Sequence, residues 1–84
     1  MNYTKPSTMS PRIALRDYEE LLDFARQELR KSQQQLIQLR NQEAPAAELE
    51  ELEHEIELLN KAVDRYQLKI KVLQHALRES ENQP

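Results

Sequence analysis

Leu15, Tyr18, Leu22, Ala25, Leu29, Ser32, Leu36 and Leu39 stand alternately three and four residues apart, with mostly polar residues between them. An α-helix turns once every 3.6 residues, so such a series falls on one stripe, and the strict alternation is that of positions a and d in a coiled-coil heptad. The same alternation resumes with Leu49, Leu52, Ile56, Leu59, Val63, Tyr66, Ile70, Leu73 and Leu77. Two long amphipathic helices are predicted. Residues 41–48, NQEAPAAE, separate them, and Pro45 disfavours helix at Ala44 while suiting the first turn of a new helix. Carrying the first heptad frame through Pro45 would put Glu43, Glu50 and Glu57 at a positions and bury their carboxylates. The two seams are therefore out of phase. A short break joins them, which makes the helices antiparallel neighbours.

In an antiparallel pair, facing residues have numbers with a constant total. At 88, Leu39 faces Leu49, Leu36 faces Leu52, Ser32 faces Ile56 and Leu29 faces Leu59; Ala25 then faces Val63, Leu22 faces Tyr66, Tyr18 faces Ile70 and Leu15 faces Leu73. Every layer matches an a with a d position, and small Ser32 and Ala25 meet branched partners, so the layers can interdigitate. Charge agrees with this direction. Residues 17–23 carry four acids and no base, residues 65–71 three bases and no acid, and the hairpin sets them side by side. Arg26, Arg30, Lys31 and Arg40 likewise fall alongside Glu48, Glu50, Glu51, Glu53, Glu55 and Glu57. The expected fold is all-α: an antiparallel two-helix coiled-coil hairpin that completes a four-helix bundle on dimerisation or partner binding. Its expected bounds are a flexible tail over 1–9, helix from about 11 to 41, a turn at about 42–44, helix from about 45 to 79, and a frayed end over 80–84. Ser10 followed by Pro11 is a helix start, an amide acceptor before a residue preorganised for the first turn.

A hairpin buries one side of each helix and is small for independent stability. Beside the seam, at positions c and g, the first helix carries Ala14, Leu21 and Phe24 and the second Leu58, Ala62, Val72 and Ala76. In an antiparallel pair g faces g, so these seven residues share one side. Position e on the other side holds Glu19, Arg26, Gln33, Arg40, Glu53, Asn60, Gln67 and Gln74, all polar. A one-sided apolar surface of this kind is the expected interface, with a second copy or with another protein.

Composition narrows the chemistry. Among 84 residues there is no glycine, which takes away the usual left-handed helix stop, and no cysteine, which excludes disulfides and thiolate metal sites. The first residues lack the apolar core of a signal peptide and no run is long enough to span a bilayer, so a cytoplasmic protein with no membrane partner is expected. Glu51 and His54 have the Glu-x-x-His spacing of carboxylate-bridged iron sites, but as a single copy with His54 at outermost position f. His75, also at f, has no second ligand at helical spacing. Tyr18 and Tyr66 at d positions are packing residues with no base at catalytic spacing. Without a phosphate-binding loop, nucleophile elbow or paired buried acids, neither an enzyme nor a cofactor, metal or small-molecule substrate is expected. Lys61, Arg65 and Lys69, with Arg12 and Arg16 at the same end, form a basic stripe that could meet phosphates, although Asp17, Glu20 and Asp23 offset it and the net charge is −3.

In layout, the chain resembles small helical hairpins such as the co-chaperones of bacterial type III secretion needle subunits and the Rop-type RNA-binding dimers. The expectation is a non-enzymatic protein–protein interaction module, structural or adaptor, acting by self-association or by docking through its apolar face. The resemblance implies two alternatives: a co-chaperone holding a partner in a heterocomplex, and a helical dimer that binds nucleic acid.

Overall fold

The computed structural model describes residues 10–82, which form two helices, α1 (Pro11–Asn41) and α2 (Ala46–Asn82), with no strand among them. The tail expected over 1–9 lies outside the described residues. At the start of α1, Ser10 is extended (φ −64°, ψ 137°), and its side-chain oxygen accepts a hydrogen bond from the Arg12 amide at 3.2 Å. Pro11 takes the first helical position, where its missing N–H costs nothing.

The end of α1 departs from the sequence expectation. Despite the absence of glycine, the chain stops α1 with a left-handed residue, and that residue is Glu43 (φ 57°). The Glu43 amide donates to the Arg40 carbonyl at 3.1 Å, and the Ala44 amide donates to the Leu39 carbonyl at 3.0 Å. This pair of bonds is a Schellman cap. Two otherwise unpaired carbonyls are satisfied in this way, which offsets the steric cost of a side chain in left-handed backbone. Pro45 then opens α2: its carbonyl accepts from the Glu48 and Leu49 amides at 3.1 and 3.2 Å, so regular helix begins at Ala46, one residue later than expected.

Both seams lie between the helices. All seventeen predicted a and d residues are buried or half-buried, and the most enclosed are Ala25, Ser32, Leu52 and Ile70. Two ion pairs mark the register. Arg12 meets Glu81 and Arg40 meets Glu53, both at 2.8 Å. All four residues occupy e positions, and each pair totals 93. In heptad geometry an e–e pair stands five above an a–d pair, so both ends of the hairpin report the seam total of 88. Between them the Tyr18 and Tyr66 rings, from adjacent layers, meet with centroids 6.1 Å apart at a 45° tilt.

Helix α2 continues to Asn82, and the Arg12 guanidinium meets Glu81 near its end. The acidic cluster 17–23 and the basic cluster 65–71 lie at the same end of the hairpin, yet no ion pair joins them among the described residues. Only e–e and g–g positions approach each other across a two-helix seam. There Glu19 falls opposite Gln74 and Leu21 opposite Lys69, while Asp17, Glu20, Asp23, Arg65 and Lys71 sit on outer positions. By the same rule, Arg40–Glu53 is the one bridge from the bases of α1 to the glutamate run of α2 among the described residues.

Candidate interaction surface

Heptad position sets how far each apolar residue beside the seam is covered. Ala14 and Ala62, at g, are half-buried against the opposite helix; Ala76, near the end of α2, is exposed. Leu21, Phe24, Leu58 and Val72 keep 43 to 61% of their surface in solvent. These four large side chains lie on one side of the hairpin, from its open end to about the middle. Toward the turn that side changes character, and a groove there is lined by Gln35, Leu39, Leu52 and the carboxylates of Glu48, Glu51 and Glu55. The apolar surface therefore has a defined acidic boundary.

Apolar exposure is not confined to this side. Ile13 and Leu68 at f and Ile37 at b are also exposed, and the seam-centred reading passed over them although a count of every apolar position would have found them. An open groove on the e side is floored by Leu22 and Ile70 and edged by Asp64, Gln67, Leu68 and Lys71. The heptad accounts for it. Side chains at d lean toward g and those at a toward e. Tyr18 and Tyr66 stand at d, beside g, and their layer partners Ile70 and Leu22 stand at a, beside e, so aliphatic side chains form the floor on the e side.

The residues considered for chemistry stand apart. His54 is exposed, with Nδ1 4.0 Å from Glu57 Oε1, and His75 Nε2 lies 3.5 Å from Glu79 Oε2. Both contacts are within one helix, and among the described residues no group of three or more histidine or acidic side chains is placed to hold a metal ion. Of the basic stripe, Lys61 approaches Glu57 at 3.9 Å within α2. Arg65 and Lys69 extend from the side that carries the apolar patch. No helix among the described residues is long and apolar enough to cross a membrane.

No protein-family model, no curated protein and no solved structure matches this chain. The functional reading therefore rests on the surface itself.

Proposed function

We propose that the chain is a non-enzymatic protein–protein interaction module, a structural or adaptor hairpin that associates through Ala14, Leu21, Phe24, Leu58, Ala62, Val72 and Ala76. One observation carries this reading: Leu21, Phe24, Leu58 and Val72 stand exposed together on a hairpin in which, among the described residues, the buried apolar side chains are Ala25, Leu52 and Ile70. Fully burying a large apolar side chain is worth about 1.5–3 kcal/mol, so covering the exposed half of each contributes about 1 kcal/mol. Four such residues on each of two chains supply about 8 kcal/mol of gross driving force, of the same order as the cost of bringing two chains together. A contiguous apolar patch bounded by charge is the usual mark of an interface.

Sedimentation equilibrium on the full chain tests the proposal. The parent is expected to self-associate, and Leu21→Lys with Leu58→Lys to remove association while far-ultraviolet circular dichroism keeps its helical form. A doubly substituted chain of unchanged mass distribution refutes the site. The thin core also favours a second reading, the co-chaperone-like one, in which the hairpin is marginally stable alone and is stabilised in a defined complex with a different protein. A parent that is monomeric and melts near room temperature is the outcome expected from that reading.

A further inference from the structure

We infer that the apolar face is covered by a second copy of this chain, related by a twofold axis parallel to the helices, so that α1 of each copy packs antiparallel on α2 of the other. The inference rests on the proposed self-association and adds the occupant and its orientation. Its basis is charge left unmatched within one hairpin. Asp17 and Glu20 flank Leu21 on α1, and Arg65 and Lys69 lie between Val72 and Leu58 on α2; no ion pair joins the two groups within the chain.

Two hairpins stacked face to face can be related by a twofold axis along the helices or across them. An axis across the helices lays α1 on α1 and sets the acidic cluster 17–23 against itself, with the basic cluster 65–71 against itself. Of these, Asp17 on α1 and Arg65 and Lys69 on α2 hold c or g positions on the face itself, so like charges oppose each other beside the apolar patch. An axis along the helices keeps every residue at its own height. The residue of α1 numbered i then lies level with the α2 residue near 88 − i of the second copy. Asp17 comes within a turn of Lys69, Lys31, which pairs with Glu28 of its own helix at 3.4 Å, within a turn of Glu55, and Ala14 falls between Val72 and Ala76 of the second copy. Phe24, the most exposed of the patch at 61%, comes level with Ala62 and Arg65. The small alanine leaves room for the ring, and a guanidinium over an aromatic face is favourable. Every contact occurs twice, as a twofold interface requires. The bundle ends where Glu48 and Glu51 meet Gln38 and Gln35, which carry no compensating charge. Opposite-charge juxtaposition thus selects one of two packings that bury similar apolar area.

Two charge-reversed chains, Asp17→Lys and Lys69→Glu, test this in trans. Each alone sets like charges together twice per dimer, and the dimer is expected to weaken on the order of ten-fold. Mixed one to one, they restore both contacts, so native mass spectrometry is expected to find mainly the mixed dimer, with affinity near the parent's. Circular dichroism confirms that each remains helical, as both side chains are exposed and outside any ion pair among the described residues. As a measurement independent of charge, Asp17→Cys and Lys69→Cys chains, otherwise free of cysteine, should join through a short thiol cross-linker in the mixture and not separately. A parent dimer with no rescue on mixing, or preferential cross-linking of Asp17→Cys to itself, overturns the orientation and leaves self-association standing. A parent that stays at the 10.0 kDa chain mass at 100-micromolar concentration, on the order of the weakest useful dimers, overturns the self-association reading as well.

Discussion

Replacing Glu43 with glycine is expected to stabilise the hairpin. Glu43 sits at φ 57°, in left-handed backbone where its Cβ crowds the following carbonyl. That conformation costs a residue with a side chain about 1–2 kcal/mol, and a glycine almost nothing. Against this, glycine makes the unfolded chain more flexible, which costs about 0.5–1 kcal/mol on folding. The difference favours glycine by about 0.5–1 kcal/mol. No favourable contact is lost, since the two bonds of the cap, Glu43 N–H to Arg40 and Ala44 N–H to Leu39, are made by the backbone, and the Glu43 carboxylate makes no ion pair among the described residues.

For a chain of this size about 1 kcal/mol corresponds to 4–8 °C, so Tm should rise by roughly 2–8 °C. The assay is thermal unfolding followed by circular dichroism at 222 nm, at one fixed protein concentration because association itself raises apparent stability. Glu43→Ala is the necessary comparison. It removes the same charge but keeps a Cβ, and its Tm should stay within about 2 °C of the parent's. If the glycine chain melts no higher than the alanine chain, the left-handed strain assigned to Glu43 is refuted.

The other two stability predictions concern the cap and the core. Ser10→Ala removes the acceptor of the Arg12 amide and is expected to cost about 1 kcal/mol, read as a lower urea midpoint with unchanged slope. Leu52→Ala opens a cavity beneath one of the few well-covered side chains and should cost about 2–5 kcal/mol, enough to unfold a marginal hairpin, whereas Leu68→Ala, 62% exposed, should stay within about 0.5 kcal/mol of the parent. Equal losses for the two leucines in denaturant titrations would refute the seam assignment.

The helices, their direction and their register were legible because each follows from a repeating constraint. An a/d stripe interrupted at Pro45 leaves few ways to bury both halves, and a four-residue connection leaves one total for the facing pairs. What escaped the sequence depends on single side chains or on angle around the helix. Glycine is the usual mark of a left-handed stop, so its absence pointed away from the cap that Glu43 forms. Clusters of opposite charge at the same height agree with the direction of the helices, but height is only one coordinate: Asp17 and Arg65 sit at c, away from the seam, and although Arg26 and Arg40 both hold e positions, the e residue opposite Arg26 is Gln67 and only Arg40 faces a glutamate, Glu53. The end of α2 was the least legible part of either helix, because a polar run such as RESEN has no apolar period and the residue that Glu81 meets, Arg12, is sixty-nine positions away. Of the candidate surface, the residues on the c and g side were legible from the heptad. The groove over Leu22 and Ile70 was not, since its shape depends on how the side chains of neighbouring layers settle.

The two sides of the hairpin differ in what it costs to dry them. On the e side both helix-bridging ion pairs, Arg12–Glu81 and Arg40–Glu53, are more than 40% exposed, and the groove between them is rimmed by Asp64 and Lys71. Covering that groove would strip water from charges already committed at its ends, and desolvation of ion pairs commonly outweighs the attraction gained. On the c and g side Glu28 and Lys31 pair with each other within α1 at 3.4 Å, but Asp17, Arg65 and Lys69 join no ion pair among the described residues, so a surface of opposite pattern returns the interactions that drying removes. Association is therefore expected on the side where apolar area and unmatched charge coincide, even though Leu68 on the other helix face is as exposed as Phe24. Exposure alone does not choose an interface; the balance between apolar gain and the fate of neighbouring charges does.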